Sequence, residues 1–211
     1  MSIENNIIKM YYLKAIQWFM VAMPIIVLFF QDHDLSLTQV MILQAIYSLV
    51  IVLFEIPSGF MADILDRKSV IFLSTIFSFL GYLIFSFFSG FYYFILAQIL
   101  VGIGGSLISG SDSSLIYDTL LELKKDKTYT KIEGKNYAIG NFSESIAAIL
   151  GGYLALTSLS LPIYVQTAVL FFSIPLSLTL VEPNTNKKNR IEKSFSSMFY
   201  IMKYAMIENK K

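Results

Sequence analysis

Segregation of charge is the feature that most limits what this chain can fold into. Apolar stretches of roughly 20 residues recur along it, each long enough to cross about 30 Å of hydrocarbon as a helix. Six segments qualify, at about 11–30, 38–61, 70–88, 92–117, 137–157 and 161–181. The breaks between them alternate in character. Gln31-Asp32-His33-Asp34, Ser89-Gly90 and Thr157-Ser158-Leu159-Ser160 hold no Lys or Arg. The others hold Arg67 and Lys68, then Lys124, Lys125, Lys127, Lys131 and Lys135, then Lys187, Lys188, Arg190 and Lys193. With Lys9 and Lys14 at the amino end, all 16 basic residues are assigned to one side of the membrane. The positive-inside rule then sets both termini in the cytoplasm. The expected fold is an all-α membrane protein, with a six-transmembrane-helix bundle over residues 1–181.

Composition agrees. The chain is 55% hydrophobic and 15% charged, against about 25% charged in a soluble domain. The apolar runs are uniform, where the helices of a soluble core would be amphipathic. A net charge of +1 gives no footprint for nucleic acid, and the absence of cysteine removes disulfides, thiolate metal sites and a cysteine nucleophile. No cofactor is expected. Met1-Ser2-Ile3-Glu4-Asn5-Asn6 is polar and no small-residue cleavage site follows the first apolar run, so that run reads as a retained helix. Residues 182–211 read as a cytoplasmic linker: Glu182-Pro183-Asn184 opens a basic stretch, and Phe195, Met198, Phe199, Met202 and Met206 then recur at the spacing of an amphipathic surface helix.

The break after the second segment reads Pro57-Ser58-Gly59-Phe60-Met61-Ala62-Asp63-Ile64-Leu65-Asp66-Arg67-Lys68. Gly59 permits close helix approach. Asp63 at the membrane edge can accept charge-assisted hydrogen bonds from Arg67 or from a partner, a contact suited to forming in one state and breaking in another. Through Gly59, Ala62, Asp63, Arg67 and Lys68, this stretch resembles the signature loop of the major facilitator superfamily. The six segments, the inward termini and the long basic break after the fourth fit that family's amino-terminal half. The resemblance implies half of a twelve-helix fold with a 3+3 inverted repeat, and secondary transport of a small solute by alternating access. It extends to bacterial drug-efflux-like members, with departures. Ile64 and Asp66 stand where the family usually has a basic residue and Gly. Gln98 precedes Gly102-Ile103-Gly104 where proton-coupled members often carry Arg. Ala147-Ala148 replaces a Gly-Pro ahead of Gly151-Gly152.

Ionisable groups inside spans are costly and are functional candidates by default. Glu55, Asp112 and Glu144 all fall one to three turns in from the cytoplasmic ends, and are expected to line one inward-facing cavity as a cation or proton site. The alternative is a rim network in which Asp112, Asp118 and Glu144 meet Arg67, Lys68 and nearby lysines. Glu55, deep and just ahead of Pro57, is the strongest functional candidate. Gln98, Asn141 and Gln44 are further cavity candidates, or helix-to-helix hydrogen bonds. Gly102 and Gly110 on the fourth segment, and Gly151 and Gly152 on the fifth, mark helix-packing faces. In the family, the fifth helix packs against the carboxy-terminal half. Trp18, Tyr11, Tyr12, Tyr92, Tyr93 and Tyr137 read as interfacial anchors. His33 with Asp32 and Asp34 is a poor metal set, so no metal is expected. The expected partners are the lipid bilayer, an unidentified solute, and either a missing carboxy-terminal six-helix half or a second copy. The expected function is solute transport in the cell membrane, the chain ending within an interdomain linker. The alternative is a non-transporting six-helix membrane protein, an inactive remnant or a regulatory partner. No serine, histidine and carboxylate set supports an intramembrane hydrolase.

Overall fold

The computed structural model describes residues 3–184, apart from the side chains of Phe60, Asp63 and Ile64. The expected amphipathic helix at 195–206 lies outside the described residues. Every regular element among the described residues is helical: α1 (Asn6–Gln17), α2 (Ile26–Asp32), α3 (Leu37–Ile64), α4 (Arg67–Phe87), α5 (Phe91–Glu122), α6 (Tyr129–Ala155) and α7 (Leu161–Leu178), with single 3-10 turns before α1, α2 and α6. Among the described residues, four helices are long and apolar enough to cross a membrane: Leu37–Gly59 within α3, then α4, α5 and α7. They coincide with the second, third, fourth and sixth expected segments.

The other two segments depart from expectation, each for a visible reason. Segment 11–30 is not one helix. Backbone from Trp18 to Ala22 leaves the helical ladder between α1 and the turn Met23–Ile25 that leads into α2. Pro24 lacks an N–H, and its ring would collide with the carbonyl four residues back, so a continuous helix is disfavoured there. Segment 137–157 lies in a 27-residue helix, α6. That helix is long enough, but Asn141, Ser143, Glu144 and Ser145 dilute the apolar character of the segment, and it is not among the four.

Small residues set how closely the helices approach. A methyl group on Gly102 would lie 2.9 Å from Val50 of α3, and one on Gly104 would lie 2.4 Å from the Ser78 hydroxyl of α4. Near the far end of α3, a methyl on Gly110 would come within 3.7 Å of the Gly59 Cα. The α3–α4–α5 packing is thus fixed by backbone-to-side-chain contact, as in helices that associate without a hydrophobic drive between them. α6 lies on α1 and on the turn before α2, while α7 lies on α4 and α1.

Two apolar clusters form the core. One gathers Phe29, Phe30, Phe85 and Phe94 with Val40, Leu43 and Ile163. Its rings meet at centroid distances of 5.3–5.7 Å, tilted to one another. The other gathers Met10, Leu13, Ile71, Leu115, Ile116, Leu120 and Leu180. A cavity opens between them.

At the end carrying the second cluster, polar side chains fasten the segment just after α7 to the rest. The Asn6 amide donates to the Val181 carbonyl at 2.7 Å, accepts from the Val181 N–H at 3.0 Å, and donates to Thr119 at 3.2 Å. Glu182 accepts the free backbone N–H groups of Arg67 and Lys68 at the start of α4, at 3.1 and 2.9 Å, which satisfies two of the donors that a helix amino terminus leaves unpaired.

Candidate functional site: a buried ion pair in a central cavity

The cavity holds about 430 Å³, within the range of small-molecule sites. Its walls come from α1, the break after it, and α2, α3, α4, α5, α6 and α7. Gln17, Gln44, Tyr47, Gln98 and Gln166 supply amide and phenol groups, and Met20, Met23, Ile26, Phe85, Val101 and Leu170 supply apolar surface.

Among the described residues, the only Lys, Arg, Asp or Glu that line it are Lys14 and Asp112. The Lys14 ammonium donates to Asp112 Oδ2 at 2.8 Å, and each side chain is only 8% exposed. Asp112 Oδ1 accepts the Ser113 N–H at 2.7 Å. The same ammonium lies 4.9 Å from the ring centroids of both Trp18 and Tyr137, inside the range of cation–π attraction. These two rings meet edge to face at 6.0 Å. Lys14 is thus held by a carboxylate and two aromatic faces.

Local sequence explains the arrangement. Lys14 and Trp18 are four residues apart, so they share a face at the end of α1. The ring of Trp18 can lie on α6 because position 140 is glycine: a methyl there would stand 3.0 Å from the indole. One turn away, Ser143 donates to the Ala15 carbonyl at 2.6 Å. Three turns from Gly140, Gly151 meets the unwound backbone, where a methyl would lie 2.1 Å from the Val21 carbonyl oxygen. The Val21 N–H is shared between the Phe19 carbonyl at 3.1 Å and Gln166 Oε1 at 2.8 Å. Irregular backbone at membrane depth persists only where protein or a cavity satisfies it, and Gln166 and the α6 glycines meet that condition.

Beyond Asp112, Ser113 donates to Glu133 Oε1 at 2.7 Å. Burial first, and then the Glu133 charge, push the nearby Tyr129 phenol above its ordinary pKa.

Of the residues singled out from sequence, Asp112, Gln98 and Gln44 line the cavity. Glu55 does not: it lies on the exposed face of α3 among Val52, Leu53, Phe54 and Ile56, which are also exposed. Glu144 is half-buried and Asn141 exposed on α6, and neither lines the cavity. The expected three-carboxylate cavity is therefore replaced by one carboxylate facing one ammonium. The expected rim network is present in part, since Arg67 pairs with Asp118 at 3.0 Å while Asp112 turns to Lys14. The Asp63 side chain lies outside the described residues. Gly151 faces Val21 within the bundle, whereas a methyl on Gly152 would meet nothing within 4 Å.

Sequence reasoning misses Lys14, Trp18, Tyr137, Gly140, Glu133 and Gln166. Lys14 had a signal: it falls inside segment 11–30, four residues before the single tryptophan. Trp18 and Tyr137, read as interfacial anchors, line the cavity.

No curated protein matches the chain. The family model described as Major Facilitator Superfamily matches residues 11–206, which takes in nearly all of the helical bundle and every residue that lines the cavity. With its apolar helices and a solute-sized cavity between them, the chain belongs to the major facilitator superfamily, whose members carry small solutes across membranes.

Proposed function

We propose that the cavity is the solute site of a secondary transporter working by alternating access, and that this chain supplies a six-span half with both termini in the cytoplasm of a cell membrane. In this reading the broken pair α1–α2 and the long helix α6 cross the membrane beside the four apolar helices. A second six-helix half, or a second copy, closes the cavity. The observation that carries the proposal is the buried Lys14–Asp112 pair in the cavity wall. A charge pair at membrane depth is expensive unless it has work to do. The cavity is also assembled from discontinuous helix, as solute sites of transporters often are.

Two experiments test this. The chain has no cysteine, so single introduced cysteines report topology cleanly. Ser89→Cys and Ser158→Cys should react with an impermeant maleimide on intact cells, and Lys125→Cys only after permeabilisation. Inside labelling of Ser158→Cys rejects the crossing by α6. For transport, the chain is reconstituted alone and with any six-helix half encoded beside it, and flux is followed with and without a proton gradient. Gly105→Trp, which fills the cavity from α5, should abolish flux; full flux in that variant rejects the cavity as the route.

A further inference from the structure

Taking the cavity as the solute site, the geometry points to a zwitterion with an apolar body as its ligand: one ammonium and one carboxylate that insert between Lys14 and Asp112. The argument is one of charge balance. Both members of the pair are buried, and among the described residues no other Lys, Arg, Asp or Glu lines the cavity. Glu133 stands nearest through Ser113, but its recorded contact is with the Ser113 hydroxyl. A ligand carrying only positive charge would draw Asp112 away and leave the Lys14 ammonium without a carboxylate. A ligand carrying only negative charge would strand Asp112. Either outcome leaves a buried charge unpaired, which is the costly way to open a buried ion pair. A zwitterion lets each buried charge exchange one partner for another, and the total stays zero throughout.

The surroundings complete the match. Trp18 and Tyr137 present faces 4.9 Å from an ammonium already in place, so the incoming ammonium or Lys14 itself finds a cation–π surface in the opened state. Met20, Met23, Phe85 and Leu170 on the other walls suit an apolar side chain.

The chain carries its own reporter, because Trp18 is its single tryptophan. The full chain in lipid nanodiscs is titrated while Trp18 emission is followed. The probes are L-phenylalanine, 2-phenylethylamine, 3-phenylpropanoate and 3-phenylpropanamide, which share a phenylethyl body and differ in charge. L-Leucine serves as a second zwitterion. The expected result is saturable binding of the amino acids, with L-phenylalanine at least tenfold tighter than each analogue. Asp112→Asn should turn the preference toward the propanoate, and Lys14→Met toward the amine. The exchanged pair Lys14→Asp with Asp112→Lys keeps the site neutral and should keep the zwitterion preference, whatever the single variants do to folding. An analogue that binds as tightly as L-phenylalanine overturns the proposal, and so does the absence of a response to both amino acids. The two readings separate cleanly. A single-charge analogue whose Trp18 signal is lost in Gly105→Phe, which narrows the cavity without adding a second tryptophan, leaves the cavity as the site and removes only the zwitterion. Loss of flux control by Gly105 removes the site itself.

Discussion

At the scale of single residues, Lys14 decides the chemistry, and its role is the one most easily misassigned. A lysine near the inner end of a span satisfies the positive-inside rule whether its nitrogen reaches water or turns inward. Only the carboxylate 98 positions away distinguishes the two, and no local pattern announces such a pairing. Asp112 was legible because an acid inside a span needs a reason; Glu55 and Glu144 drew the same attention but occupy other faces of their helices. The pair makes a sharp energetic prediction. Lys14→Met or Asp112→Asn alone should cost about 3–5 kcal/mol, because each leaves the opposite charge buried, whereas the double variant should recover most of that loss. Reversible unfolding in mixed micelles, arranged as a double-mutant cycle, measures the coupling; additive costs would mean the two groups do not depend on each other. Gly140 gives a second test. A methyl there presses on the Trp18 ring at 3.0 Å, so Gly140→Ala should shift the emission of the single tryptophan and weaken its contact with Lys14. Emission unchanged from wild type would show that the indole does not rest on α6.

At the scale of elements, four of the six expected spans correspond to helices with the required length and apolarity, because uniform apolar runs bounded by charge leave a helix little alternative in lipid. The first was not legible as drawn. Its composition is apolar from end to end, and the hydropathy pattern has no means of recording that Pro24 sits where Gln166 and two glycines of α6 stand ready to support unwound backbone. The glycine pair on α6 shows the same limit. Gly151 and Gly152 are adjacent and look equivalent in sequence, yet one abuts the Val21 carbonyl and the other has open space. Gly151→Ala should therefore cost about 1–3 kcal/mol through overpacking. Gly152→Ala should be neutral or stabilising by up to about 1 kcal/mol, since alanine is the better helix former. Unfolding midpoints of the two variants, measured side by side, check the contrast. Equal losses would mean that α6 does not meet the break in α1 through this face.

At the scale of the whole molecule, the chain closes on itself at the end where sequence places the basic breaks. Asn6 holds Val181, Glu182 holds the start of α4, Arg67 holds Asp118, and the Lys9 ammonium donates to the Thr179 carbonyl. The Gly59–Asp63–Arg67–Lys68 loop was recognisable from its spacing, but its working partners were not, since Glu182 and Asp118 reach it from positions far along the chain. Crowding positive charge into this closure has a measurable consequence. Burial, and then the charge of Lys68, hold Lys9 below the ordinary lysine pKa of 10.5. A lysine whose pKa is lower in the folded state binds its proton more weakly there than in the unfolded chain. Stability therefore rises as pH climbs from that lowered value toward 10.5, and below it the folded state bears the full penalty of a charged Lys9. Lys68→Gln removes the smaller of the two causes, so Lys9 should titrate closer to 10.5 and the rise in stability with pH should shrink. Carbon-13 NMR of reductively methylated lysines in nanodiscs follows Lys9 directly, with Lys9→Arg assigning its resonance. A Lys9 titration identical with and without Lys68 would place the two ammonium groups too far apart to sense one another, and would undo the crowding of positive charge at this end of the bundle.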